Sequence, residues 1–237
     1  MEVPFTFKQF TVKQDRCAMK IGTDGVLLGA WVSLNNSPKS ILDIGAGTGI
    51  IALQLAQRST AEIIDAVEID SDAFEQCVEN FEASDWGDRL FCYHASVEEL
   101  ADEVEEQYDL IVSNPPFYRD EFKSDNEARD KARSAEALPF NVLLKSVSVL
   151  LSETGQFSLI LPRKEEEEFI LLASEFGLYP SKICRVRGTI NSEEKRSMIE
   201  FSFRKQIAKM EELAIEISRH HYTDAYIHLV KDFYIKM

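Results

Sequence analysis

The sequence predicts an α/β fold, a largely parallel sheet with helices on both faces, and three observations carry that prediction. Short apolar runs of strand length alternate with segments of helical period through the middle of the chain, the pattern of successive βαβ units. A glycine-rich turn, Gly45 to Gly49, joins one such strand to the helix after it. The 237 residues, 45% apolar and 28% charged, suit one large domain with an extension and exclude disordered, collagen-like and disulfide-scaffold classes. The expected division is an N-terminal extension with a first helix over residues 1–35, then the α/β domain over residues 36–237.

Val26 to Val32 reads as the first helix, and Ser40 to Gly45 as a buried strand that hands over to an amphipathic helix, Ile50 to Ala56. Ile63 to Ile69 is the next strand. Ser71 and Asp72 open a helix whose apolar stripe is Phe74, Cys77, Val78 and Phe81. Leu90 to Tyr93 is a strand, Val97 to Val104 a helix, and Leu110 to Ser113 a strand that runs straight into Asn114-Pro-Pro-Phe117. Tyr118 to Ala135 is charged, lacks an apolar period and is too long for a tight connection, so it is expected to be a substrate loop. Then come a helix (Pro139 to Leu151), a strand (Gln156 to Leu161) and a charged helix (Arg163 to Phe176) whose Glu165 to Glu168 is expected to be a solvated first turn. Ser181 to Arg187 and Arg196 to Phe203 read as a hairpin turned by Gly188 to Lys195.

The net charge of −15 argues against a polyanionic partner until its distribution is examined. Residues 62–109 hold 17 acidic side chains and one basic one, so the rest of the chain is close to neutral. Residues 178–210 hold eight basic against three acidic side chains, which makes Lys182, Arg185, Arg187, Lys195, Arg196 and Arg204 candidates for contact with nucleic-acid phosphates. No apolar stretch approaches the roughly 18 residues of a membrane span. The N-terminus lacks a secretory pattern, and the four cysteines show no metal-ligand spacing, so a cytoplasmic protein with free thiols and no metal is expected. His220, His221 and His228 are expected to be surface residues.

Asp43-Ile-Gly-Ala-Gly-Thr-Gly49 lies between strand and helix, where glycines let a backbone approach a ligand closely. Glu68, 19 residues past Gly49 at the end of the next strand, is placed to accept hydrogen bonds from both hydroxyls of a ribose, with Asp70 the competing choice. Together they imply an adenosine-bearing cofactor. Asp43 beside the glycines disfavours a pyrophosphate and suits a cation, as in S-adenosylmethionine with its ammonium and sulfonium groups. Gly22-Thr-Asp-Gly25 either caps the first helix or reaches the methionine end of that cofactor. The candidate cofactor set is therefore Asp43, Gly45, Ala46, Gly47, Gly49, Glu68 and Ile69, joined by Asn114 and by Thr23 and Asp24.

Asn114-Pro-Pro-Phe117 follows a strand of an open α/β sheet, where ligands bind beyond the carboxyl ends. A ring-conjugated amine or an amide nitrogen has a delocalised lone pair and attacks a methyl sulfonium poorly. Two acceptors, the Asn114 side-chain oxygen and the Pro115 main-chain carbonyl, would hold both N–H hydrogens and aim the lone pair at the methyl group. Pro115 and Pro116 keep those acceptors rigid. Phe117, or Tyr118 in its place, offers a π-face for a planar base.

The order DIGAGTG, AVEID, YDLIVSNPPF resembles the class I S-adenosylmethionine-dependent methyltransferases that modify amino nitrogens. Phe7 to Val12, Met19 to Trp31, Lys195-Arg196 and Asp232 to Lys236 are similar to the bacterial tRNA1(Val) adenine-37 N6-methyltransferase family over essentially the whole chain. The resemblance implies a Rossmann-like sheet of seven strands, S-adenosylmethionine as donor with S-adenosylhomocysteine as product, and an adenine in a tRNA anticodon loop as acceptor. It assigns Asp43, Gly45, Gly47 and Glu68 to the cofactor and Asn114, Pro115 and Phe117 to the base. One departure stands out: the acid expected after the third strand of the domain is missing from Tyr93-His-Ala-Ser96, which leaves the cofactor's adenine amine to backbone near Ala95. Methylation of a protein glutamine amide uses the same acceptor geometry, and an RNA-binding module without turnover or a nicotinamide-dependent dehydrogenase are the alternatives from other classes.

Overall fold

A computed structural model describes residues 3–115 and 138–237. Pro116, Phe117 and the segment Tyr118 to Ala135 lie outside the described residues. The sheet order is β11-β10-β8-β9-β7-β6-β3-β4-β5, with a separate two-stranded ribbon, β1 (Phe5–Thr6) and β2 (Thr11–Val12), at the start of the chain. The central strand β3 (Ser40–Ile44) lies between β4 (Ile63–Glu68) and β6 (Tyr108–Ser113), and β5 (Leu90–His94) completes that edge, all parallel. On the other side β7 (Leu151–Pro162) pairs with β6, and the antiparallel β9 (Glu194–Ser202) separates β7 from β8 (Tyr179–Thr189).

Those seven strands are the ones the apolar runs predict. Two more extend the sheet to nine strands among the described residues: β10 (Lys209–Ser218), parallel to β8, and the short β11 (His221–Tyr222). Sequence reasoning misses β10 because only Leu213 is buried on it, so alternation is too weak to register.

Alternation of side chains divides the core between the two faces of the sheet. Ile41, Ile64, Leu110 and Val112 meet α1 (Thr23–Trp31), α2 (Ile50–Arg58), α3 (Ser71–Glu82) and α7 (Asp224–Val230) on one face. Leu42, Ile44, Val67 and Ile111 meet α4 (Val97–Glu103), α5 (Phe140–Leu150) and α6 (Glu166–Glu175) on the other. The extension belongs to the first of these cores. Phe7 and Phe10 are buried beside the C-terminal segment, the Phe7 and Tyr234 rings are 5.7 Å apart, and Lys8 N–H donates to the Phe233 carbonyl at 2.8 Å. Helix α1 is fixed to α2 by Arg58, which donates to the carbonyls of Gly29 (2.7 Å) and Val32 (3.0 Å).

The acidic run that opens α6 is solvated only at Glu167 and Glu168, which corrects the sequence reading for the other two. Glu165 and Glu166 are buried, and Glu166 lies against the β8–β9 hairpin, accepting from Arg185 Nη2 at 2.8 Å and from the Ser197 hydroxyl. Burial alone would raise the Glu166 carboxyl, but Arg185, Ser197 and Arg163 outweigh it and hold it below the ordinary carboxylate range. Removing one partner of such a pair strands the other. Glu166→Ala is therefore expected to cost about 3 kcal/mol and lower Tm by roughly 6–12 °C in a thermal melt, while Glu167→Ala, on the exposed side of the same turn, stays within about 0.5 kcal/mol of the parent.

Candidate active site

The carboxyl ends of β3, β4, β5 and β6 converge on the glycine turn. Gly45, Gly47 and Gly49 have φ of +71°, +55° and +78°, a region that side chains with a Cβ enter at a cost. Their surroundings differ. A Cβ on Gly45 or Gly47 would meet nothing within 4 Å, whereas one on Gly49 would stand 2.5 Å from the Phe81 ring and 2.9 Å from Cys77 Sγ. Gly49 thus lets α3 close on α2, and the other two face open space. The turn is pinned from β4: Gly45 and Ala46 N–H donate to the Val67 carbonyl, and Gly47 N–H donates to Glu68 Oε2 at 2.8 Å.

Glu68 is 9% exposed and takes the Asp70 N–H on its other oxygen at 3.0 Å, leaving lone pairs for a further donor. Asp70 caps α3 through Ala73 N–H at 2.8 Å, so the rival for the ribose is committed to its helix. Asp43 is fully buried. Its Oδ2 accepts from Ala52 N–H at 3.2 Å in the first turn of α2, and Oδ1 has no hydrogen-bond partner among the described residues. Burial pushes the Asp43 carboxyl up to about 7, against the pull of the Ala52 N–H and helped by the charge of Glu68. A buried carboxylate with an orphan oxygen, beside glycines that open to space, fits a cationic group in the cradle.

Beyond Glu68, Ile69 is 59% exposed, and its carbonyl lies 3.1 Å from His94 Nε2, whose ring stacks on Phe74. Ala95 is half-buried next to it. Ser96 is occupied by a reciprocal cap with Glu99 at the start of α4.

The Ser113 hydroxyl donates to the Ile44 carbonyl at 2.9 Å, tying the end of β6 to the end of β3. Asn114 and Pro115 therefore stand next to the glycine turn, Pro115 buried and Asn114 half-buried. The Asn114 side chain makes no hydrogen bond among the described residues, and its Nδ2 is 3.9 Å from where a Cβ on Gly25 would sit. Helix α1 begins at Thr23, earlier than the apolar run suggests, with Gly22 as an N-cap that offers no side-chain bond. Thr23 is exposed, and Asp24 accepts from Arg196 Nε at 2.7 Å. Sequence reasoning misses Cys17, Gln76 and Asn80, all buried, of which Asn80 donates to the Thr48 carbonyl inside the glycine turn at 2.9 Å. The signal was present for the last two, as amides four residues apart beside the apolar stripe of α3.

The basic residues of the β8–β9 hairpin mostly hold carboxylates: Lys182 with Glu200, Arg185 with Glu166, Arg187 with Glu194 and Glu212, and Arg196 with Asp24. Lys195 and Arg204 are exposed and have no carboxylate partner among the described residues. His220, His221 and His228 are exposed, no group of three metal-binding side chains occurs among the described residues, and no described helix is long and apolar enough to cross a membrane.

A family model described as the methyltransferase small domain matches residues 23–179. The tRNA1(Val) (adenine(37)-N6)-methyltransferase of Christiangramia forsetii is 60% identical over 99% of this chain and 98% of its own length. The protein of the same name from Bacteroides fragilis is 46% identical over 98% of each. Among solved structures, a predicted O-methyltransferase from Agrobacterium tumefaciens matches with a TM-score of 0.66 at 19% identity, covering 89% of this chain and 96% of that one. TYW2 of P. horikoshii in complex with MeSAdo matches at 0.58 and 14%, covering 84% and 69%. These structural likenesses give the fold alone, that of the class I methyltransferases.

The unequal surroundings of the glycines separate two effects. Gly49→Ala is expected to lower Tm further than Gly45→Ala, because it adds a clash with Phe81 to a conformational cost of about 1–2 kcal/mol that both share. Paired thermal melts test this; equal losses would show that packing against α3 plays no part.

Proposed function

The chain belongs to the tRNA1(Val) (adenine(37)-N6)-methyltransferase family, and on that premise we propose that it transfers a methyl group from S-adenosylmethionine to the exocyclic N6 of an adenine in tRNA. The acceptor is adenine 37 in the anticodon loop of tRNA1(Val), the coproduct is S-adenosylhomocysteine, and the enzyme works in the cytoplasm. The observation that carries this reading is the Ser113–Ile44 hydrogen bond, which sets Asn114-Pro115 at the rim of the glycine cradle.

The cofactor supplies a methyl group made electrophilic by its sulfonium. Asp43, Gly45, Ala46, Gly47 and Gly49 would hold its methionine end, with Thr23 and Asp24 alongside. Glu68 would accept from the ribose hydroxyls, and Ile69 with the Ala95 backbone would flank its adenine. Asn114 and Pro115 act on the acceptor. Their two oxygens take both hydrogens of the amine, which holds the nitrogen lone pair in line and stabilises the positive charge that grows on N6. No general base is needed before transfer. The base enters the site extruded from its loop, and Phe117, by sequence position, provides the stacking face. Lys195 and Arg204, which keep their charges free, are the foremost phosphate contacts of the hairpin; Lys182, Arg185, Arg187 and Arg196 would contact phosphate while retaining their carboxylates.

Asn114→Ala is expected to reduce kcat by about 10²-fold or more in transfer of labelled methyl groups to bacterial tRNA, with N6-methyladenosine as the only labelled nucleoside. Label in protein glutamine rather than tRNA would move the acceptor and keep the donor. Asp43 adds a pH dependence. Since its folded pKa is raised to about 7 and the cation favours the carboxylate, affinity for S-adenosylmethionine is full above pH 7. Below that, a proton must be shed on binding, and Kd rises by up to about tenfold per unit. Calorimetry across pH 5 to 8 reads this slope, and Asp43→Asn should flatten it.

A further inference from the structure

Two buried amides on α3 have no part in the chemistry described above. Asn80 is 2% exposed and uses every polar atom of its side chain: Oδ1 accepts Lys13 N–H at 2.8 Å, while Nδ2 donates to the Lys13 carbonyl and to the Thr48 carbonyl, both at 2.9 Å. One side chain thus joins α3, the N-terminal segment and the middle of the glycine turn. A turn earlier, the fully buried Gln76 accepts Arg16 N–H at 3.2 Å, and the Arg16 guanidinium pairs with Glu75 and Glu79 at 2.9 Å. Gln14 accepts Ile21 N–H at 3.0 Å, closing residues 14–21 on themselves.

This segment runs along the rim of the cradle. Cys17 is 8% exposed and follows Arg16, whose N–H is held by Gln76 on α3, the helix whose N-cap Asp70 is bonded to Glu68; burial first, then the charges of Glu68 and Asp70, push its thiol up to about 12. From there the chain enters α1, whose Gly25 stands against Asn114. The segment therefore spans the site from the Glu68 side to the Asn114 side, and its attachment to the glycine turn passes through Asn80.

We propose that Asn80 is a positioning residue that straps residues 13–22 across the cofactor cradle and sets the cradle's affinity for S-adenosylmethionine. The inference rests on the cofactor reading above. An apolar side chain at position 80 would leave the Lys13 N–H and two carbonyls without partners, an effect large enough to release the strap. Lys13→Pro attacks the same link from the other side: it deletes the N–H and, besides it, the solvent-screened Lys13–Glu79 pair at 3.6 Å, and the residue before it, Val12, is a strand residue with the extended backbone that a following proline requires.

The test uses the full chain, with Asn80→Leu and Lys13→Pro beside the parent. Kd for S-adenosylhomocysteine is measured by calorimetry, alkylation of Cys17 is followed by mass spectrometry with and without that ligand, and thermal melts confirm folding. Both variants are expected to bind about tenfold more weakly and to expose Cys17 to faster alkylation, with a larger change in Kd than in kcat at saturating cofactor. If Asn80→Leu fails to fold, Lys13→Pro decides the matter alone. Parental Kd and a protected Cys17 in a folded Lys13→Pro protein would overturn the proposal and leave the cofactor reading standing. Failure of the parent to bind the ligand would remove that reading and this inference with it.

Discussion

One carboxylate, at the end of β4, organises the site. Glu68 accepts the N–H of Gly47 from one direction and of Asp70 from the other, so a single side chain holds the glycine turn and the start of α3 in register. Three left-handed residues in five share one internal hydrogen bond, Gly49 N–H to the Ala46 carbonyl at 2.8 Å, and the rest of their shape is imposed from outside. Val67 and Glu68 do so from the sheet and Asn80 from the helix. The turn accordingly inherits the rigidity of a parallel strand paired on both sides, which a site whose catalysis consists mainly of positioning requires.

Charge is arranged around this centre in two halves. The flank formed by β4, β5, α3 and α4 carries the acidic surplus, and its one basic residue, Arg89, spends its guanidinium on the carbonyls of Ala56, Ser59 and Ala61. The opposite flank, β8 and β9, carries the basic surplus, but interleaved with glutamates, so its field is weaker than its composition suggests. Such pairing keeps the hairpin folded against α6 and leaves only its outermost charges free to meet a phosphate.

The parallel half of the sheet was legible because buried strands write themselves as unbroken apolar runs, and Asp43, Glu68 and Asn114 were legible because each ends such a run. What escaped had partners distant in sequence or little burial. Glu166 reads as a solvated turn because nothing near it announces Arg185, which arrives on another strand. The strand of Leu213 is hidden because that residue alone is buried on it. Asn80 lies next to an apolar stripe, where a polar letter looks like a helix surface until a strap from residues 13–16 covers it. The early start of α1 was missed for a related reason, since Thr23 and Asp24 are polar and the partner of Asp24, Arg196, lies on a distant strand.

The ribbon at residues 5–12 has a consequence for how the chain is made. Its aromatic residues are made before α1, yet they rest against Phe233 and Tyr234, which follow α7. Strand β9 likewise enters between β7 and β8 only after both exist. During synthesis α1 and α2 therefore keep an uncovered apolar face until α7 and Phe233 emerge, and β7 keeps an unpaired edge until β9 does. Long-range closure of this kind makes folding slow and the late intermediate adhesive, so the stretch from Val230 to Tyr234 serves as the latch of the core it completes.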